Sequence, residues 1–328
     1  MSTEIERVLV VGGGAIGGLF AGHFAEIAET WMLVRRTSHA SAVNRHGLRI
    51  SGKRELLARP TATTDPGVPP EPQLIVVAVK ATQLDEVAVD LAGRFPRAAM
   101  MTVQNGLGAE EVMRAAGPWP LISGVTFMSG IRHGDEHVEY ELDTATWLGP
   151  YAESETPFAL VEAVQTLIVR SGLHATALPD LLPAQWSKMI FNAAVNGVGA
   201  LTGTPHIAAY AERSEPQDVG HLVHALMEEG KAVAAAAGVA LYEDPWEMNV
   251  RAVLRGQSES GSGSYAHVTS MLEDVQARRP TEIDFICGPV VRTGERLGLP
   301  APLHAALWRL IKAKELSWSL AHGTEQEV

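Results

Sequence analysis

Val8–Gly18 reads VLVVGGGAIGG, and these residues decide the fold. Val8, Leu9, Val10 and Val11 make a short apolar, β-branched run, the mark of a strand buried on both faces. Gly12, Gly14 and Gly17 follow in the pattern G-x-G-x-x-G. Leu19, Phe20, Phe24 and Ile27 then recur at roughly helical spacing. A glycine pattern between a strand and a helix is the signature of a dinucleotide site. The first glycine permits the tight turn, the second lets a pyrophosphate approach the backbone, and the third lets helix and strand pack closely. The helix N-terminus offers unpaired N–H groups and partial positive charge to the phosphates. Gly12, Gly13, Gly14, Ala15, Ile16 and Gly17 are therefore candidate cofactor-binding residues.

Downstream, Thr30–Val34 reads as a second strand, followed at once by Arg35 and Arg36. In NAD sites an Asp or Glu about 20 residues past the glycines binds the ribose 2′-hydroxyl. Two arginines stand there instead, which suits the 2′-phosphate of NADP through charge-assisted bonds. A solvated basic turn is the plain alternative. Leu48–Ile50 and Leu56–Ala58 read as a small hairpin, and Thr63–Pro72 as a loop. Leu74–Val79 is the next buried strand, with Lys80 and Gln83 beyond its carboxyl end, the edge where open α/β sheets bind ligands. Ala99–Val103 ends the same way, in Gln104-Asn105-Gly106-Leu107-Gly108. Asn105 is a candidate for the ribose or carboxamide, or else part of a plain Asn-Gly turn. Leu121–Phe127 and Val138–Leu148 read as strands bracketing a turn at Arg132–Glu136, with Gly130 near the same edge.

A 328-residue chain has room for two cored domains, and 46% hydrophobic residues argues against wholesale disorder. A net charge of −12 without basic clusters disfavours a nucleic-acid partner. The single Cys287 can form neither an internal disulfide nor a thiolate metal cluster, as suits a reducing cytoplasm. Twelve histidines lack the helical i, i+4 pairing with an acid that a zinc site needs, so no metal is expected. No secretory leader is expected where a strand starts at residue 8, and no apolar run reaches bilayer length. The chain is thus expected to be cytoplasmic, with no membrane partner.

Pro157–Ser171 reads as an amphipathic helix, Gly172–Leu178 as a last strand, and Pro179–Pro183 as a linker. Alanine-rich helical stretches follow at Leu222–Ala237, Trp246–Leu254, Ile283–Leu297 and Leu303–Leu320, with a flexible loop at Ser258–Ser264. The expected architecture is an α/β Rossmann-type dinucleotide-binding domain over residues 1–179 and an all-α C-terminal domain over 180–328. Its helices are the candidate surface for a homodimer. Lys188, Asn192 and Asn196 line one stripe of an otherwise apolar helix, Trp186–Leu201. Buried polar groups need partners, so the stripe should face something polar but enclosed, for which a cleft between domains is the candidate. Ser270 and Glu282 fall near two helix ends on either side of Pro280, as site residues or as ordinary caps.

With these residues assembled, the chain resembles the ketopantoate reductases (2-dehydropantoate 2-reductases). Five motifs in order carry the likeness: GGGAIG at Gly12–Gly17, VKATQ at Val79–Gln83, QNGLG at Gln104–Gly108, KMIFNAAVNGVGALTG at Lys188–Gly203 and SMLEDVQARRPTEID at Ser270–Asp284. The resemblance implies a helical domain of the 6-phosphogluconate dehydrogenase C-terminal type and NADPH-dependent reduction of a 2-oxo acid, 2-dehydropantoate. It further implies Lys188 as general acid and Glu282 as the acid between nicotinamide ribose and substrate hydroxyl. Asn192, Asn196 and Ser270 would contact substrate, with His267 and Thr269 as neighbours. Arg36, Lys80, Gln83, Asn105 and Gly130 would contact NADP(H). Gly197 stands where the family usually has proline, Glu273 where Gln is common, and His206 at another substrate position without the usual residue. Two alternatives stay open, a paralogue reducing another 2-oxo acid with NADH or NADPH, and a dinucleotide sensor without chemistry.

Overall fold

The apolar run at the start of the chain is strand β1 (Arg7–Val11), and its last four residues are buried. A computed structural model describes residues 4–214, 218–259 and 265–323. They divide into two compact units, one made of the chain up to Gln104 plus Ala109–Leu181, the other of Asn105–Gly108 plus the chain from Leu182.

In the first unit, β1 is followed by α1 (Ala15–Phe24), β2 (Glu29–Leu33), α2 (Thr37–His46), β3 (Leu48–Gly52), β4 (Leu56–Ala58), β5 (Thr61–Thr63) and β6 (Leu74–Val77). Then come α3 (Leu84–Leu91), β7 (Ala99–Thr102), α4 (Ala109–Ala116), β8 (Leu121–Thr126), β9 (Ser129–Arg132), β10 (His137–Leu142), β11 (Thr146–Pro150), α5 (Phe158–Arg170) and β12 (Ala175–Ala177). Eight strands form one sheet in the order β12-β11-β8-β7-β6-β1-β2-β5, parallel except for the β8–β11 pair. All residues of β6 and β7 are buried, as expected of central strands covered on both faces. A second sheet, β4-β3-β10-β9, lies across α1 from the first, so α1 touches both and is buried from Gly17 to Phe24. A helix enclosed on all sides is apolar all round, which explains the sequence GGLFAGHF.

The second unit is built on α6 (Leu182–Thr202), which packs against α7 (Asp218–Ala236), α8 (Pro245–Glu259), α9 (Ser270–Gln276), α10 (Ile283–Leu297) and α11 (Pro302–Gly323). Pro183 falls in the first turn of α6, where the missing N–H costs no helical bond. Met189, Ile190, Ala193, Ala194 and Val198 form the core of this unit with Leu226, Met227, Ile286, Val290 and Ile311. Each fully buried leucine, isoleucine, valine or methionine among them contributes about 1.5–3 kcal/mol.

Several local expectations are corrected. Val138–Leu148 is two strands in different sheets, broken at Asp143–Ala145, and an unanticipated β9 pairs with β10. Strand β5 occupies the start of the supposed loop at Thr63, and Ile27 lies beyond the end of α1. Ser258 and Glu259 continue α8, while residues 260–264 of the expected loop lie outside the described residues. The helical unit also holds one short antiparallel pair, β13 (His206–Ile207) with β14 (Ala266–His267). Among the described residues no helix is long and apolar enough to cross a membrane.

Candidate active site

The glycine loop has the geometry of a phosphate cradle. Gly12 adopts φ +112°, and a Cβ there would meet the backbone of Ala78 and Val79 at 2.9 Å. A Cβ on Gly17 would lie 2.0 Å from the Gly12 carbonyl oxygen, so only glycine lets α1 start this close to β1. At Gly14, by contrast, a Cβ would meet nothing within 4 Å. Gly14 caps α1 with no side-chain hydrogen bond, and Ala15 and Ile16 open the helix behind it. Uncapped first-turn amides beside open space fit a dinucleotide pyrophosphate.

The other residues expected to contact cofactor are distributed as follows. Arg36 follows β2 and stands at the N-cap of α2; its guanidinium pairs with the Asp135 carboxylate and reaches Ser38 Oγ at 3.3 Å. With its amide turned so that the oxygen faces Arg35, the Gln83 side chain accepts from Arg35 Nη1 at 2.7 Å. Lys80 is half-buried immediately before the Ala81–Gln83 turn. Gly130 lies in β9 opposite Tyr140, and a Cβ there would meet the Glu139 carbonyl oxygen at 2.6 Å.

In the helical unit a polar cluster assembles around Asn105. Lys188 Nζ donates to Asn105 Oδ1 at 2.9 Å, and Asn192 Nδ2 donates to the same oxygen at 3.3 Å. Asn105 Nδ2 in turn donates to Glu282 Oε2 at 3.3 Å. One amide thus reads a cation, an amide and an acid. Lys188 and Asn192 are one turn apart on α6, so both point the same way, and Asn196 continues the stripe, 8% exposed. The loop carrying Asn105 is docked by the Leu107 N–H on the Phe285 carbonyl at 2.9 Å. Gly106 makes this approach possible: it adopts φ +89°, and a Cβ would lie 1.9 Å from that oxygen. Glu282, 5% exposed, begins α10 just after Thr281, whose N–H and hydroxyl both donate to Glu315, at 2.8 and 2.7 Å. Burial pulls the Lys188 ammonium down to about 8 from 10.5, with Glu282 opposing that fall. A lysine so tuned holds a proton at neutral pH and gives it up readily.

The remaining sequence candidates sit beside this cluster or apart from it. Thr269 is the N-cap of α9, its hydroxyl accepting from the Leu272 N–H at 3.4 Å, and half-buried Ser270 opens the helix. Helix α9, which Ser270 opens, packs on α6, the helix that carries the asparagine stripe. His267 is exposed in β14, opposite His206. His206 itself is buried, with Nε2 on Asn249 Oδ1 at 2.8 Å and Nδ1 on the Tyr265 hydroxyl at 3.0 Å. Burial takes its imidazole down to about 4, so it is neutral. Sequence reading missed this His206–Asn249–Tyr265 chain and also Asp135, since neither lies in a periodic or glycine-marked pattern. Among the described residues no group of three or more His, Cys, Asp or Glu could hold a metal ion.

Two family models cover most of the chain: ketopantoate reductase PanE/ApbA matches residues 8–153, and the ketopantoate reductase PanE/ApbA C-terminal model matches 180–315. A 2-dehydropantoate 2-reductase of Pyrococcus horikoshii is 30% identical over 97% of this chain and all of its own length. This chain belongs to the ketopantoate reductase family. Membership places it among the oxidoreductases. A 2-dehydropantoate 2-reductase of Vibrio cholerae is 26% identical over 96% of this chain and all of its own. The crystal structure of a PanE/ApbA family ketopantoate reductase from Ralstonia eutropha aligns with TM-score 0.80 at 24% identity, covering 95% of this chain and 99% of that one. D-mandelate dehydrogenase, solved with NADH and anilino(oxo)acetate, aligns with TM-score 0.82 at 21% identity over 95% and 99%. Both likenesses concern the fold, an α/β half followed by a helical half.

Proposed function

We propose that this ketopantoate reductase family member reduces 2-dehydropantoate to pantoate with NADPH, using Lys188 as general acid. In this reading residues 1–179 bind NADP(H) and residues 180–328 bind the 2-oxo acid. Gly12–Gly17 hold the pyrophosphate, Arg36 the 2′-phosphate, and Lys80, Gln83, Asn105 and Gly130 further parts of the dinucleotide. Hydride to the carbonyl carbon is the chemistry that the bound dinucleotide supplies. Lys188 Nζ gives its proton to the carbonyl oxygen and stabilises the alkoxide that forms there. Asn105 Oδ1 keeps Nζ aimed, and Glu282 keeps the ammonium charged until the proton is needed. Asn192, Asn196 and Ser270, flanked by His267 and Thr269, hold the substrate hydroxyl and carboxylate.

The observation that carries the reading is the Lys188–Asn105 bond of 2.9 Å within a part-buried set of amides and one acid. A purely structural lysine would gain nothing from a lowered proton affinity, whereas an acid for a developing alkoxide would. Cofactor oxidation is followed with 2-dehydropantoate and a panel of other 2-oxo acids, with NADPH and with NADH. The expected result is turnover with 2-dehydropantoate that falls by about 100-fold or more in Lys188→Ala. Comparable turnover in that variant overturns the acid. Preference for another acid moves the substrate, and no turnover with any acid favours a sensor.

A further inference from the structure

The dinucleotide half contains an acid that no local pattern signals. Asp135 sits in the turn between β9 and β10, 99 residues from Arg36 in sequence. Its Oδ1 accepts from Arg36 Nη2 and from Arg132 Nη1 at 3.0 Å. His39 Nδ1 lies 3.9 Å from the same oxygen. The His39 ring also packs on the glycine loop, since a Cβ on Gly13 would lie 2.2 Å from His39 Cε1. Asp135, Arg36 and the loop are therefore joined through one imidazole. Burial keeps that imidazole below its ordinary pKa, and Arg36 holds the Asp135 carboxyl below the carboxylate range. Both side chains reach solvent, Arg36 at 54% and Asp135 at 21%, so a ligand can reach them.

We propose that Asp135 sets the dinucleotide preference of this enzyme, by standing on Arg36 where a 2′-phosphate would bind and by offering an acceptor to an unphosphorylated ribose. The inference rests on the reading of Arg36 as the 2′-phosphate group. A phosphate dianion can take Arg36 only beside, or in place of, the carboxylate already there, and like charges at that distance oppose binding. The 2′-hydroxyl of NAD(H) is a donor, and a carboxylate is its natural partner. Usually such an acid ends the second strand; here that place is Arg35-Arg36, and the acid arrives from the β9–β10 turn. The chain can thus accept either dinucleotide, with NADP(H) carrying a penalty that Asp135 imposes.

The test is binding of NADPH and NADH to the full-length protein, measured by fluorescence titration without substrate, for wild type, Asp135→Asn, Asp135→Ala and Arg36→Ala. Both Asp135 variants should bind NADPH about tenfold more tightly, the effect of removing one nearby like charge at a partly exposed site. NADH should bind more weakly, by about fivefold, through loss of a charged acceptor. A NADPH-to-NADH affinity ratio within about twofold of wild type in both variants overturns the proposal. So does weaker NADPH binding, which would mean that Asp135 only positions Arg36. Arg36→Ala separates the two layers: if it leaves the ratio unchanged, the 2′-phosphate reading fails, whatever Asp135 does. Thermal midpoints of the four proteins exclude a folding defect as the cause of any shift.

Discussion

Replacing Lys188 by methionine should stabilise the protein while nearly abolishing reduction, and the gain in stability should fade as pH rises. The ammonium holds its proton to about pH 8 in the folded chain, against 10.5 unperturbed. The difference of 2.5 units, at 1.36 kcal/mol each, is about 3 kcal/mol of cost for carrying the charge in the fold at neutral pH. Lys188 is only partly buried, so a realised gain of about 1–2 kcal/mol is expected. Methionine keeps the apolar stem, and Asn105 Oδ1 keeps the Asn192 donor at 3.3 Å. Glu282 loses a cation, which takes back part of the gain. The sign follows from proton counts. Between pH 8 and 10.5 the unfolded chain binds more protons at this residue than the folded one, so wild-type stability rises with pH across that window. Below it the penalty is fully present. Lys188→Met has no such titration, so its advantage is largest below pH 8 and shrinks towards 10.5. Urea unfolding of both proteins from about pH 7 to about pH 10 reads this directly, since all other groups titrate in both. A stability difference that is flat with pH, or a variant less stable at neutral pH, would refute the picture of a strained, proton-yielding lysine.

Two further outcomes follow from the same cluster. With saturating substrates, the rate of ketone reduction should decline as pH rises through about 8, and Glu282→Gln should move that decline to lower pH, because Glu282 is the group that raises the Lys188 value; a pH–rate profile unmoved by the substitution counts against the pairing. Gly106→Ala forces a Cβ to within 1.9 Å of the Phe285 carbonyl at a φ of +89°, so it should cost about 1–3 kcal/mol and lower turnover by displacing Asn105. Thermal melts and turnover numbers check it, and wild-type values for both would mean that the loop has another way to dock.

How much of this was legible depends on whether the physics is local. The glycine loop could be read from its letters because two of its glycines answer to atoms a few residues away or just past the adjoining strand: Gly17 to the Gly12 carbonyl, Gly12 to Ala78. The Lys188 stripe was legible for a similar reason, since helical spacing alone puts Lys188 and Asn192 on one face. What the stripe faces was not. Asn105 lies 83 residues before Lys188 and 177 before Glu282, and no periodicity links the three. The end of β7 singled out Asn105 as a ligand-edge residue, yet the chain assigns it to the helical unit. Strand boundaries failed where no breaker marks them. Val138–Leu148 runs through Asp143-Thr144-Ala145 without glycine or proline, and only the Tyr140 hydroxyl donating to Asp143 Oδ1 at 2.6 Å shows why the chain turns there.

Asp135 makes the point sharpest. The absence of an acid after β2 favours NADP on the premise that the second strand is the sole supplier of an acid. A pocket, however, responds to charge at a place, not to the segment that delivers it. The β9–β10 turn carries a carboxylate to Arg36, so the electrostatics around Arg36 depend on a residue outside the motif. If Asp135 acts as proposed, cofactor preference in this chain is a balance between Arg36 and Asp135, and the NADPH-to-NADH affinity ratio of the Asp135 variants is the quantity that shows it.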